Sequence, residues 1–272
     1  MSPPAHDRLL QRYSIRATLV CESAVHVGSS GAGAAAFATD MPVARDGRGR
    51  PYLPGASLRG ALRSGIESLL RGVDRPGQRV CDPFDKEQGA GQSCSERVNQ
   101  ARKDRQTLSE AEAFQLAWDN SCEVCKLFGH SFLASRVRLA DLPLEPLPGA
   151  ALTYTRDGVG LDRDLRTAAR GILYNFEAVP AAARFALRIE FENAEPHEMG
   201  LLLVGLDLFA EGLATVGGKS SRGLGLARVE THSIVRRKPV DFFAGTTGAE
   251  LGEDDLSEFR SAAQRHYLGG AD

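Results

Sequence analysis

Ala183-Arg184-Phe185-Ala186-Leu187-Arg188-Ile189-Glu190-Phe191-Glu192-Asn193 alternates without a break. Phe185, Leu187, Ile189 and Phe191 fall on one face, and Arg184, Arg188, Glu190 and Glu192 on the other. Successive side chains leave a pleated strand on opposite sides, so this pattern predicts a strand buried on one face only. Pro196 follows and opens a helix expected to reach about Leu213, carrying Leu202, Leu206, Phe209 and Leu213. The glycine-rich turn Gly217-Gly218-Lys219-Ser220-Ser221-Arg222-Gly223 then leads into a last strand, Leu224 to Val235.

The same unit precedes it. Arg12 to Val25 alternates, with Tyr13, Ile15, Ala17, Leu19 and Cys21 on one face, and runs into the small-residue loop Gly28-Ser29-Ser30-Gly31-Ala32-Gly33. After Pro54-Gly55, Ser57 is placed to cap a helix to about Leu70. Leu58, Leu62, Ile66 and Leu69 form its apolar stripe, with Arg59 and Arg63 away from it. A short strand is expected over Ser135 to Ala140. Thr153 to Ala178 has little periodicity and too few apolar residues for core, and reads as a projecting hairpin, with a disordered loop as the alternative.

The order strand, helix, strand, arm, strand, helix, strand matches an α+β, ferredoxin-like (RRM-like) core with long insertions. The chain reads as one domain: core 10–71, 135–150 and 181–238, an insertion at 72–134, the arm at 151–180 and a tail at 239–272. The tail carries a short amphipathic helix beyond Asp254.

Hydrophobic residues at 42% and charged residues at 25% are ordinary for a soluble, cored protein. No apolar run is long enough to span a bilayer, so no membrane partner and a cytoplasmic location are expected. The formal net charge of −2 excludes a global basic field that would draw polyanions. Any such contact must come from local patches. One is Arg156, Arg163, Arg166 and Arg170; the other is Lys219, Arg222, Arg228, Arg236, Arg237 and Lys238.

Cys122-Glu123-Val124-Cys125 has the two-residue spacing that lets both thiolates reach one tetrahedral zinc. Cys81 and Cys94 lie in the same polar insertion and complete a set of four, with His130 as a substitute ligand. A structural zinc would supply stability that few apolar residues can provide. A redox pair and unrelated buried cysteines are the alternatives. Gly217-Gly218-Lys219-Ser220 superficially resembles a phosphate loop, but the position five before the Gly-Lys pair is Leu213. The turn also leaves a helix and enters a strand, the reverse of nucleotide-binding order. Its amides, Lys219 and Arg222 still suit a nucleic-acid backbone.

Three stretches together resemble a known family. They are Val25-His26-Val27-Gly28 with Thr39-Asp40-Met41-Pro42-Val43; Tyr52-Leu53-Pro54-Gly55-Ala56-Ser57-Leu58-Arg59-Gly60-Ala61-Leu62-Arg63; and Gly217 to Gly225. The chain is similar to the RAMP-type backbone proteins (Cas-seven family) of type III CRISPR effectors, over nearly its whole length. The cysteine-bearing insertion looks like the zinc-bearing version found in some members.

The resemblance implies crRNA and complementary target RNA as partners, beside other effector subunits, including further backbone subunits. It implies that Ser57, Arg59 and Arg63 clamp guide phosphates at a helix N-terminus, together with Gly217, Gly218, Lys219, Ser220 and Arg222. The arm, with Arg163 and Arg166, matches the family's thumb hairpin. Asp40 matches the aspartate used by RNA-cleaving members, acting with Mg²⁺ or another divalent ion; capping a local turn is its alternative role. His26 is expected either at the RNA or as a packed histidine. Two readings follow: an RNA-guided endoribonuclease subunit, or a non-catalytic scaffold of the same assembly. A zinc-containing nucleotide enzyme is a third, opposed by the Walker spacing.

Overall fold

The computed structural model describes residues 7–28, 39–73, 80–146 apart from 88, 90, 91, 104 and 106, then 149 and 151–269. Of the expected small-residue loop, 29–33 lie outside the described residues. The strands are β1 (Arg12–Cys21), β2 (Tyr52–Leu53), β3 (Val137–Leu139), β4 (Leu142–Pro143), β5 (Tyr154–Leu161), β6 (Ala168–Ala178), β7 (Arg184–Glu192), β8 (Ala227–Arg237) and β9 (Ala249–Glu250). The helices are α1 (Gly55–Arg71), α2 (Cys94–Lys103), α3 (Glu110–Asp119), α4 (Glu123–Phe128), α5 (Pro196–Ala210), α6 (Pro239–Phe243) and α7 (Glu253–Leu268).

The main sheet is antiparallel, in the order β3-β7-β1-β8-β9. Its central strands are those whose alternation is clearest in the sequence. Tyr13, Ile15, Ala17 and Leu19 of β1 and Phe185, Leu187, Ile189 and Phe191 of β7 are all buried on one face. The helices α1 and α5 cover that face. Two glycines of α5 set how closely they pack: a Cβ at Gly205 would lie 2.6 Å from Ile66 Cδ1, and one at Gly200 would lie 2.0 Å from the Phe259 carbonyl of α7. The tail therefore joins the core, with Phe259 edge-on to Tyr13.

The opposite face is polar. Arg12 and Arg188 pair with Glu190, and Arg184 pairs with Glu145 and Glu230, which also takes Arg228. The strands of the main sheet place an exposed imidazole here, His232 of β8, whose Nε2 lies 2.8 Å from the Thr18 hydroxyl.

Several boundaries differ from the sequence expectations. Ser57 does not cap α1: Pro54 occupies that position, Ser57 is inside the first turn, and the Gly55 amide donates to Asp141 Oδ1 at 2.8 Å. Leu70 completes the buried stripe of α1, while Leu69 faces out. The helix from Pro196 ends at Ala210, and Leu213 is exposed. The last strand begins at Ala227, after a 3₁₀ turn at Ser220–Arg222.

The insertion is not an isolated polar appendage. It holds α2, α3 and α4, and its Val124, Leu127 and Phe128 belong to the same hydrophobic cluster as the sheet. Arg136, 2% exposed, makes the junction. Its guanidinium donates to the carbonyls of Lys126 and Asn193 (both 3.0 Å) and to both carboxylate oxygens of Glu198. It also stacks between Trp118 and Phe191.

A buried charge left without its partner is costly. Glu198→Ala is expected to lower stability by about 3–5 kcal/mol, whereas Arg136→Met with Glu198→Leu, which removes both charges, should cost less. Urea unfolding midpoints of the two variants check the order.

Candidate nucleic-acid interface and metal centre

The three sequence stretches converge. A cleft of ≈ 550 Å³ is lined by Val27 and Gly28, by Ser57, Gly60 and Ser64 of α1, and by Gly217 and Gly218. Its floor is a tight backbone crossing in which the Gly218 amide donates to the His26 carbonyl at 2.9 Å. Gly217 has φ +77°, and a Cβ there would lie 2.3 Å from the His26 carbonyl oxygen, so only glycine fits.

His26 is buried, edge-on to Phe176. Its Nδ1 is 2.7 Å from the Glu177 carbonyl, which can only accept, so Nδ1 carries the proton. Nε2 stays on the Gly28 side, 3.4 Å from where a Cβ on that glycine would stand.

The hairpin of β5 and β6 rises beside this cleft, antiparallel from Tyr154↔Ala178 to Leu161↔Ala168. Its upper part exposes Val159, Leu161, Ile172 and Leu173. Arg163 and Arg166 lie exposed at its tip, away from the cleft lining, where Asp162 Oδ1 accepts the amides of Asp164 and Leu165. Its base meets the glycine-rich turn. Lys219 Nζ stands over the rings of Tyr174 (4.9 Å) and Phe176 (4.6 Å), and the Arg222 guanidinium donates to the Tyr174 hydroxyl. Lys219 adopts φ 66°, uncommon for a residue with a Cβ. Gly217, Gly218, Lys219 and Arg222 are thus brought together with His26; Ser220 is in the adjoining 3₁₀ turn.

Asp40 is exposed and is docked on the hairpin rather than capping its own turn. Its Oδ2 accepts the Asn175 amide at 2.8 Å, and its own amide donates to Asn175 Oδ1 at 2.8 Å. Three residues on, the Val43 amide donates to Glu177 Oε2 at 3.0 Å, while Oε1 accepts from the Thr153 hydroxyl at 2.6 Å and from Arg45. Asn175 and Glu177 therefore set the position of Asp40. Sequence reading missed them, although the alternation Tyr174, Phe176, Ala178 was a usable signal for this strand.

Arg59 and Arg63 turn elsewhere. Arg59 donates to the Phe128 carbonyl and lies over the Phe128 ring; Arg63 donates to Glu67 Oε1 (2.8 Å), the Gly129 carbonyl (3.1 Å) and Cys125 Sγ (3.3 Å). They fasten α1 to the insertion instead of standing at the helix's free end. Asp141 also takes the Gly55 amide at the start of α1.

The four sulfurs of Cys81, Cys94, Cys122 and Cys125 lie within 4.8 Å of one another, all buried, and can hold a metal ion. The Cys122 amide points at Cys94 Sγ (3.1 Å), Arg97 at Cys94 Sγ (2.8 Å) and Arg63 at Cys125 Sγ. Two guanidiniums and an amide aimed at sulfur are suited to thiolates; within the cluster, hydrogen bonds among the sulfurs lower the pKa of Cys122 and raise those of Cys81 and Cys125. Arg97 Nε and Nη1, both shielded from solvent, have no hydrogen-bond partner among the described residues. His130 is not part of the set; Ser121 lies 2.7 Å from its Nε2, and burial lowers its pKa.

The family model described as RAMP superfamily matches residues 18–228. A protein of Methanothermobacter thermautotrophicus named CRISPR system Cms endoribonuclease Csm3 is 26% identical over 261 residues, covering 94% of this chain and 97% of its own. A protein of the same name from Methanocaldococcus jannaschii is 24% identical over 265 residues, covering 91% of each.

Burial opposes ionisation of Glu177, but Thr153, the Val43 amide and Arg45 outweigh it and hold its carboxyl below the usual range. Its stabilising contribution is therefore present above the unfolded value near ~4.3 and lost as pH falls through the lower folded value. Glu177→Gln is expected to speed proteolytic nicking at the base of the hairpin at neutral pH. Limited proteolysis across pH 3–7 should show wild type approaching the variant only at the acid end.

Proposed function

From the membership of this chain in the RAMP superfamily, whose model spans residues 18–228, we propose that it is a backbone subunit of a type III CRISPR ribonucleoprotein. In this reading it binds crRNA and cleaves the complementary target RNA. The observation that carries the cleavage is the seating of Asp40 on Asn175, at the base of a hairpin that projects beside the cleft. The near full-length likeness to two proteins named Csm3 endoribonucleases supports it. The core strands run β3-β7-β1-β8, the order expected of a ferredoxin-like core.

Guide RNA lies along the cleft in this reading. The backbone amides near Gly217 and Gly218, Ser57 and the cation pair Lys219 and Arg222 meet phosphates, and base pairing supplies the sequence specificity. That division suits a chain of net charge −2 whose sheet face is spent on ion pairs. The hairpin, with Arg163 and Arg166 at its tip and apolar residues below, acts as a wedge into the guide–target duplex, giving the target strand the orientation that in-line displacement needs.

In the cleavage step the target's 2′-oxygen attacks the adjacent phosphorus, the bond to the 5′-oxygen breaks, that oxygen leaves as a hydroxyl with a proton from water, and a 2′,3′-cyclic phosphate remains. Asp40 supplies a carboxylate at this junction, to take the 2′-hydroxyl proton or to help hold Mg²⁺ with RNA phosphate oxygens. A bound divalent ion would neutralise charge on the phosphorane. Among the described residues Asp40 belongs to no group of three metal-ligating side chains. The same observation favours the second reading, a scaffold that binds guide without cutting. The cysteine set is read as a structural zinc site: four thiols enclose it, and no ligand position is left for catalysis.

Asp40→Ala in the guide-loaded assembly with Mg²⁺ is expected to slow target cleavage by roughly 10²–10⁴-fold while guide and target remain bound. Cutting at the wild-type rate would move the chemistry elsewhere, and no cutting by wild type would make the chain a scaffold. Cys122→Ser is expected to lose the bound zinc and to lower the thermal midpoint, measured by metal analysis and circular dichroism.

A further inference from the structure

Side chains along β6 leave the strand on alternate faces, and the base of this strand uses both. On one face Asn175 and Glu177 hold the Asp40 segment. The Asn175 side-chain oxygen accepts the Asp40 amide, and Glu177 accepts the Val43 amide. On the other face Tyr174 and Phe176 hold the glycine-rich turn, with Lys219 over both rings and Arg222 donating to the Tyr174 hydroxyl. We propose that Tyr174 is a positioning residue for target cleavage, seating β6, and with it Asp40, against the turn that meets guide phosphate. This rests on the reading of Asp40 as the cleaving carboxylate.

The Tyr174 ring is enclosed by named neighbours. Gly158 stands opposite it in register on β5, and a Cβ there would lie 2.3 Å from Tyr174 Cζ, so the outer end of the ring covers the glycine. Phe176 stacks beside it, with centroids 6.4 Å apart and planes at 29°. Lys219 Nζ stands 4.9 Å and the Arg222 guanidinium carbon 5.9 Å from its centroid. Such contacts fix a ring and a cation against each other more closely than apolar packing alone.

Hairpin stability by itself would need only an apolar side chain on this face. Tyr174 instead gives its hydroxyl to one of the two cations read as meeting phosphate. It is also next in sequence to Asn175, whose main-chain amide donates to Asp40 Oδ2. A displacement of the ring therefore reaches the carboxylate through one peptide unit. In-line attack tolerates little misplacement, whereas guide binding through amides and cations does not require Asp40 in place. The role of Tyr174 is accordingly expected in the rate and not in the affinity.

Single-turnover cleavage by the guide-loaded assembly with Mg²⁺, at saturating target, tests this with Tyr174→Ala and Gly158→Ala. The second variant keeps Tyr174 but puts a methyl group where its ring stands, and the far end of that side chain can swing aside without unfolding the hairpin. Both are expected to slow cleavage by roughly 10–100-fold, with guide and target affinities unchanged. The double variant is expected to be no slower than the slower single one, because both changes remove the same contact. Wild-type rates in both single variants, a loss of guide affinity that accounts for the slower cutting, or effects that multiply in the double variant would overturn the role of Tyr174. Asp40→Ala measured alongside separates the two readings. Slow cutting by Asp40→Ala beside fast cutting by the other variants rejects the positioning role alone, and fast cutting by Asp40→Ala rejects the cleavage reading with it.

Discussion

The guanidinium of Arg136 is the contact on which the two halves of this molecule depend. Taking a cation out of water is tolerable only when its charge is matched and its donors are used. Here Glu198, the Lys126 and Asn193 carbonyls and two aromatic faces do so. These partners come from α3 and α4, from β7 and the turn after it, and from the first turn of α5. The insertion and the sheet therefore cannot separate without stranding a buried charge. Arg63 repeats the arrangement from α1, reaching Glu67 on its own helix and Cys125 in the insertion. The cysteine cluster is thereby tied to the helix that lines the cleft.

That division of labour explains where nucleic acid can be met. One face of the sheet is filled by α1 and α5, and the other is spent on ion pairs among its own arginines and glutamates. A ligand can be met at the ends of the central strands β1 and β8, where glycines let backbones approach closely and where the hairpin stands. Lys219 and Arg222 are held over Tyr174 and Phe176, so the cations of the turn and the base of the hairpin form one surface. Asp40 is placed by the same hairpin. Its position is a property of two segments far apart in sequence.

Much of the frame was legible. The alternation of 183–193 and 12–21 identified the two central strands, because a strand half-buried in a sheet must alternate. The low apolar content of 153–178 identified a projecting hairpin, because such a segment cannot be core. Four cysteines in one insertion identified the cluster, since their chemistry is the same wherever they meet. Less was legible at the site. The periodicity of α1 shows that Arg59 and Arg63 lie off the apolar stripe, but a helical wheel says nothing about what stands opposite. In the folded chain the insertion stands there, so both arginines are consumed by it. Ser57 has a capping residue's chemistry but sits inside the first turn, three residues past the Pro54 cap, and Asp141, remote in sequence, takes the Gly55 amide.

By itself, then, the sequence determined the periodic elements, the glycines at the cleft and the ligand chemistry of the cysteines, all of which depend on residue type and near neighbours. Tertiary structure alone decided the partners: Asn175 for Asp40, Glu198 for Arg136, and Cys125 for Arg63. Such pairings depend on how distant segments are brought together, and only packing of the helices, sheet and hairpin sets that distance and direction.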